Sequence, residues 1–509
     1  MNPAGEPTRT QIPIRFAEET DVTAVVARAI TGLRSAQGRW GRTPMARRLK
    51  CLRQLRHLIA VNGPQLAEAC AHARRRPAAE ALVTEVIPLA EACRFLEREA
   101  KSLLSPRRLG RRGRPLWLSG VQTEVRREPH GIVLVIGPGN YPLLLPGVQL
   151  IQALVAGNAV LLKPGVGGAL VAGELANLLV RAGFDSQLVA VLPESTAAAR
   201  AAILSRPDKV VFTGSAETGQ KILAQLAPQL IPATMELSGC DAVIIRADAD
   251  LDLAVKALTF GLKLNGGATC MAPKRVFVSA ARATELEGRL AERFAPRGNS
   301  SEAAGALNAV AVERLLALLK DALARGAHLI AGEISAQGEV LTPVVLGGVA
   351  PSSLLLREDV FAPVLAIVTV ADDHEAVLRA NDCPYGLTAS VFSRNEVAAR
   401  KLAGQLRAGV VTINDLILPA ADARTPFGGR GRSGFGVTQG SEGLLEMTVP
   451  KVVTVTRSKF RPAFEPLRRG DETMFAVYLT LSHARGLGNR WQALTEFVKS
   501  IYQRKNHLP

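Results

Sequence analysis

The 509-residue sequence predicts an α/β protein of two domains, each on a parallel sheet, with a small bridging β extension and a basic tail. Three observations carry that expectation. At roughly 150 residues per domain the length allows two to four domains. A composition 48% hydrophobic and 21% charged supplies a large core and excludes collagen-like, coiled-coil and disordered chains. From about residue 131 to 445, short apolar runs alternate with helical stretches, the signature of a doubly wound sheet.

Residues 20–105 show helical periodicity, with Leu82, Val86, Leu89 and Cys93 at helix spacing. Segment 106–120 is an Arg/Gly/Pro-rich connection. Buried strands are then expected at Ile132–Ile136, Ala159–Leu162, Leu188–Leu192, Lys209–Thr213 and Ala242–Arg246, with helices such as Leu143–Ala156 and Glu217–Leu226 between them. A strand at Lys274–Val278 and a helix near 281–294 open the second domain. Gln122–Arg127 alternates in polarity and Val452–Thr456 is β-branched, so strands near 114–131 and 449–457 form the bridging arm. Boundaries follow at 1–235, 236–445, 446–458 and 459–509. In the last segment Arg490–Gln503 reads as an amphipathic helix with Trp491, Leu494, Phe497, Val498 and Ile501 apolar, and Asn489 as its N-cap.

Gly131–Leu162 contains no Asp, Glu, Lys, Arg or His, which invites a membrane span. Gly137-Pro138-Gly139, Pro142, Pro146-Gly147 and Gly157 break the run, so strand, loop and helix are expected instead. The N-terminus lacks an apolar signal core, and a cytoplasmic protein is expected. The six cysteines show no CxxC pair and the seven histidines do not cluster with them, which argues against a disulfide scaffold and a metal site. The net charge of +17 is uneven: +12 over residues 1–130, +7 over 451–509, and −2 between. The basic ends are either a solvated Arg-rich surface or a contact for an acidic one, nucleic acid or anionic lipid. Aromatics at 4% argue against a stacking platform for single strands.

Four places could carry chemistry. Gly137-Pro138-Gly139 follows a strand like a Rossmann dinucleotide turn, but Pro142 takes the third glycine's place. Thr213-Gly214-Ser215-Ala216-Glu217-Thr218-Gly219 joins strand to helix, either as a phosphate-binding helix start or an ordinary Ser-capped turn. Cys270 follows a Gly266-Gly267 pair; at a helix N-terminus its thiol would be acidified, otherwise it is an inert buried thiol. Glu236 in Met235-Glu236-Leu237-Ser238-Gly239 is a candidate general base or a capping carboxylate.

The order and spacing of the motifs narrow these choices. The chain resembles the aldehyde dehydrogenase superfamily over roughly residues 20–455, through IGPGNYP (136–142), AGNAVLLKPG (156–165), VFTGSAETG (211–219), MELSG (235–239), GGATC (266–270), REDVFAPV (357–364), NDCPYGLTASVFSRN (381–395) and TPFGGRGRSGFG (425–436). The resemblance implies NAD- or NADP-dependent oxidation of an aldehyde to an acid. It implies Cys270 as nucleophile, Glu236 as general base and Asn140 as oxyanion donor. For the cofactor it implies Lys163 at the adenosine ribose, Gly214, Ser215 and Gly219 at the pyrophosphate, and Asp359 and Phe361 at the nicotinamide ribose and ring. It also implies a homodimer or tetramer built through the β arm.

The departures are Gly139 where the family usually has Trp, Asp359 for Glu, Cys240 for a Lys, and Val166 where NAD-specific members carry Glu. Without a carboxylate at Val166 both cofactors are expected to serve, within about a hundredfold of each other. Two other readings stay open: an acylating relative that passes the thioester to coenzyme A, against which Glu236 argues, and a binding scaffold that works through its basic ends. The aldehyde itself is not specified by any charge in these motifs.

Overall fold

The computed structural model describes residues 21–118, 120–295, 309–334, 340–417, 421–457, 464 and 466–506. The N-terminal stretch read for targeting, 1–20, lies outside them, as do several residues of the tail. The chain forms two compact units, Met1–Ser105 with Arg126–Lys451, and Pro106–Val125 with Val452–Pro509.

The larger unit holds two large sheets and a two-stranded one of Tyr385–Gly386 and Arg430–Gly431. The first has six strands in the order Gly434–Phe435, Ala233–Leu237, Lys209–Gly214, Ile132–Ile136, Ala159–Lys163 and Val189–Val191. All pairings are parallel except that of Gly434–Phe435. The order reverses beside Ile132–Ile136, so a crevice opens beyond the carboxyl ends of that strand and Lys209–Gly214. Every residue of Ile132–Ile136 and Ala159–Lys163 is buried. Strands covered on both faces need continuous apolar runs, which is why they read so clearly in the sequence. Between them the uncharged stretch forms the core-facing helix Leu144–Ala156, ended by Gly157 at φ 101°. Among the described residues no helix is long and apolar enough to cross a membrane.

The second sheet has seven strands in the order His328–Ile334, Val340–Gly347, Val364–Val370, Pro273–Ser279, Asp241–Ile245, Thr388–Phe392 and Val410–Ile413. Only its first pair is antiparallel. Separate apolar clusters cover its two faces. The chain crosses between the sheets at Ser238-Gly239-Cys240, between strands ending at Leu237 and beginning at Asp241.

The N-terminal periodicity resolves into Val22–Trp40, Met45–Val61, Gly63–Arg74 and Ile87–Leu104, packed on the first sheet. A π-turn at Leu82–Val86 carries Glu85, which accepts from Leu143 N (2.6 Å) and Leu144 N (3.1 Å). Glu85 also pairs with Arg76, so one buried carboxylate anchors the start of the long apolar helix.

The smaller unit contains Arg107–Leu109 and the parts Val121–Val125 and Val452–Thr456 of a three-stranded sheet whose strands are Arg107–Leu109, Val121–Pro129 and Thr448–Thr456. It also contains helices Asp471–His483 and Leu487–Asn506. Asn489 lies inside the second of these, not at its cap: its side-chain amide donates to Arg485 O at 3.1 Å. Trp117, Tyr478 and Phe497 stack with centroids 5.3 and 5.5 Å apart.

Candidate active site

Cys270 lies on a turn between the short helix Leu264–Gly267 and strand Pro273–Ser279. It therefore does not stand at a helix N-terminus. Asn265, Gly266 and Gly267 all have positive φ, which coils the backbone back on itself. A Cβ on Gly267 would stand 2.6 Å from Pro363 N, so the tight approach demands glycine. The expected acidification does not occur. Burial pushes the Cys270 thiol above its ordinary value, and the carboxylates of Glu236 and Asp241 push it further.

Glu236 sits in strand Ala233–Leu237 and is 3% exposed. Its neighbour Gly434 on the antiparallel edge strand brings the 425–436 motif against it. Oε2 accepts from Thr438 Oγ1 (3.2 Å) and Gln149 Nε2 (3.4 Å), while Oε1 is buried with no protein partner. Burial raises the carboxyl to about 7, against hydrogen bonds from Thr438, Thr213 and Gln149. An orphaned, near-neutral carboxylate is what a water-activating base requires.

Asn140 lies just past strand Ile132–Ile136, on the loop at the switch point. Its side-chain amide donates to Ala268 O at 3.0 Å, and its own carbonyl accepts from Asn265 Nδ2 at 2.9 Å. An amide has two N–H groups, so one remains to meet an oxyanion. Tyr141 Oη and Thr269 Oγ1 share a 2.7 Å hydrogen bond that fixes the next rung of the same loop pair. The fold thus brings Asn140, Glu236 and Cys270 together from three separate stretches of chain.

The residues expected to meet the cofactor stand along the same carboxyl edge. Lys163 ends its strand, 9% exposed; burial lowers its ammonium, and the Glu194 carboxylate opposes that. Ser215 caps helix Ala216–Leu226, its Oγ accepting from Thr218 N at 3.2 Å, and Gly214 ends the preceding strand. At Gly219 a Cβ would lie 2.8 Å from Leu237 Cδ2, so the helix packs close on that strand. Asp359 is half-buried; burial raises its carboxyl, opposed by the Ser238 hydroxyl and the Lys274 ammonium. Phe361 is 39% exposed, and Lys274 Nζ holds its loop by donating to Ala362 O at 2.7 Å. A cation beside a capped helix N-terminus is a donor set that suits a dinucleotide pyrophosphate. Among the described residues no cluster could hold a metal ion.

Three residues carry no sequence signal yet stand at the site. Asp241, at the start of its strand, is also raised to about 7 by burial, and it accepts from Thr388 N (3.0 Å) and Thr388 Oγ1 (2.6 Å). Glu194 accepts from Gly167 N (2.8 Å) and Ala169 N (2.6 Å), so a carboxylate flanks Val166 after all. Cys383 interacts with Cys240, and that contact with Arg275 and Arg357 lowers its thiol to about 6. A lone Asp or Glu beside an apolar run reads as a turn residue, so nothing local marks Asp241 or Glu194.

Fold and site together are those of an NAD(P)-dependent oxidoreductase. The sequence matches the aldehyde dehydrogenase family over residues 1–453, and the chain belongs to that family. Its reaction is the NAD(P)-dependent oxidation of an aldehyde. A Methylomonas protein named 4,4'-diapolycopene aldehyde oxidase is 31% identical over 440 residues, 86% of this chain and 82% of that one. A Mycolicibacterium smegmatis protein named for succinate-semialdehyde dehydrogenation with NADP(+) is 32% identical over 458 residues, 88% and 86% of the two chains. Among solved structures, the NAD+ complex of a Bacillus cereus aldehyde dehydrogenase superposes with a TM-score of 0.78 at 29% identity, covering 86% of this chain and 89% of that one.

Proposed function

We propose that the chain oxidises an uncharged aldehyde to its acid through a thioester on Cys270, with Asn140 and Glu236 as its partners. The observation that carries this reading is Glu236: a buried carboxyl near 7, with one oxygen unpartnered, whose charge is felt by the Cys270 thiol. The Cys270 thiol gives its proton to solvent and Sγ adds to the carbonyl carbon. The oxyanion so formed is met by the free Asn140 N–H and the Cys270 backbone N–H. Bound NAD or NADP supplies the hydride acceptor. Loss of hydride from the tetrahedral carbon leaves a thioester on Sγ. Glu236 then takes a proton from water, hydroxide adds to the thioester, and the acid leaves with the thiol restored.

The cofactor would lie with its adenosine ribose at Lys163, its pyrophosphate over Gly214 and Ser215, and its nicotinamide ribose at Asp359 near Phe361. Met271, Leu387, Val410 and Phe427 pack together around Cys270. An apolar surround favours an uncharged aldehyde over one that carries a carboxylate. The edge strand Thr448–Thr456, with Val449, Val452 and Val455 exposed, is where a second chain would pair to give a homo-oligomer. Six free thiols fit the reducing cytoplasm. The reading is tested by the absorbance of newly formed NADH and NADPH across an aldehyde panel. Turnover without coenzyme A is expected; turnover only with coenzyme A would contradict it.

A further inference from the structure

Helix Leu487–Asn506 is apolar on two sides. One side is used internally: Ala493 is 4% exposed, and Phe497 packs on Tyr478 of the neighbouring helix. The other side is not. Trp491 (70%), Leu494 (37%), Val498 (53%), Ile501 (38%) and Tyr502 (69%) form one solvent-facing stripe at helical spacing. Phe475 (50%) and Leu479 (62%), one turn apart on Asp471–His483, add to the exposed apolar surface of the same hairpin. The stripe is flanked by Arg490 and Lys499, and the helix carries only one carboxylate, Glu496. Arg490 Nη2 also ties the hairpin, donating to Ser482 O at 2.6 Å.

We propose that the Asp471–Asn506 hairpin docks on the surface of an anionic phospholipid bilayer, with Trp491, Leu494, Val498, Ile501 and Tyr502 in the headgroup–acyl boundary. Four arguments select that occupant. An apolar stripe edged by cations, on a helix otherwise rich in polar residues, lies along a membrane and does not cross it. Trp and Tyr near the two ends of the stripe suit the headgroup level. Residues 471–506 carry five Lys or Arg against three Asp or Glu, so a second copy of this surface would meet like charge, whereas anionic headgroups complement it. A nucleic acid would neutralise the cations but leave the apolar stripe in water.

The test uses the full chain and sedimentation with vesicles of equimolar phosphatidylglycerol and phosphatidylcholine, or phosphatidylcholine alone. Binding is expected to the anionic vesicles and to weaken with salt. Trp491→Glu with Val498→Glu should lower the bound fraction roughly tenfold, as should Arg490→Glu with Lys499→Glu, with aldehyde oxidation retained as the check on folding. No binding by the wild-type chain overturns the proposal, as does equal binding to neutral vesicles. Insensitivity to both double variants overturns it too. A fall in solution mass on the apolar substitutions would assign the stripe to a second copy, and retention by a DNA duplex in place of vesicles would assign the cations to nucleic acid.

Discussion

The proposed catalytic pocket and the proposed adenosine rim lie along one sheet edge, yet the same kinds of residue behave differently in them. In the pocket Glu236 and Asp241 are fully buried, and both carboxyls rise to about 7. At the rim Glu194 accepts two backbone N–H groups beside Val166, which is 78% exposed. Burial gives the pocket its reactivity because no water competes with the few charges there. At the rim, water screens the same charges, so they adjust affinity by small factors. Substitutions in the pocket should therefore change the course of the reaction, and those at the rim its preference between cofactors.

The largest effect is expected from Cys270→Ala, which should lower turnover roughly a thousandfold or more while cofactor binding, read by fluorescence titration, persists. Residual turnover near the wild-type rate would move the nucleophile elsewhere and collapse the contrast. Asn140→Ala should cost roughly a hundredfold to a thousandfold in kcat, the range for losing one oxyanion donor. A change in KM alone would reduce Asn140 to positioning the Ala268 loop. At the rim, Glu194→Gln should raise the NADP-to-NAD efficiency ratio by roughly tenfold, since one carboxylate fewer would face a 2′-phosphate. Val166→Glu should lower that ratio several-fold. Titrations of the free enzyme with each cofactor check both; unchanged ratios would show that neither position senses the phosphate.

How legible each feature is in the sequence follows from how local its cause is. Strand Ile132–Ile136 is legible to the residue because both faces of a parallel strand are covered and its apolar run has sharp ends. The identities of Cys270, Glu236 and Asn140 come from motif order, not from periodicity. The environment of Cys270 departs from the expectation because Asn265–Gly267 coil against Pro363, nearly a hundred residues away. Nothing within GGATC reports that contact. Glu194 is invisible for the same reason: it reaches Gly167 and Ala169 across the sheet edge. The C-terminal helix is legible as amphipathic, but its register is not. Its apolar residues outnumber those the hairpin buries, and packing decides which ones turn inward.

The account rests on Glu236 as the base that hydrolyses the thioester, and the pre-steady-state time course of Glu236→Gln tests it most directly. With its folded-state carboxyl near 7 and above the ordinary value, Glu236 is protonated and inactive below that pH and ionised above it. Wild-type turnover limited by deacylation should therefore rise through about pH 7. The variant should show a burst of reduced cofactor equal to the enzyme concentration, then a slow steady state roughly a hundredfold or more below wild type, without that pH step. A wild-type steady-state rate with the pH step intact in Glu236→Gln would contradict the account.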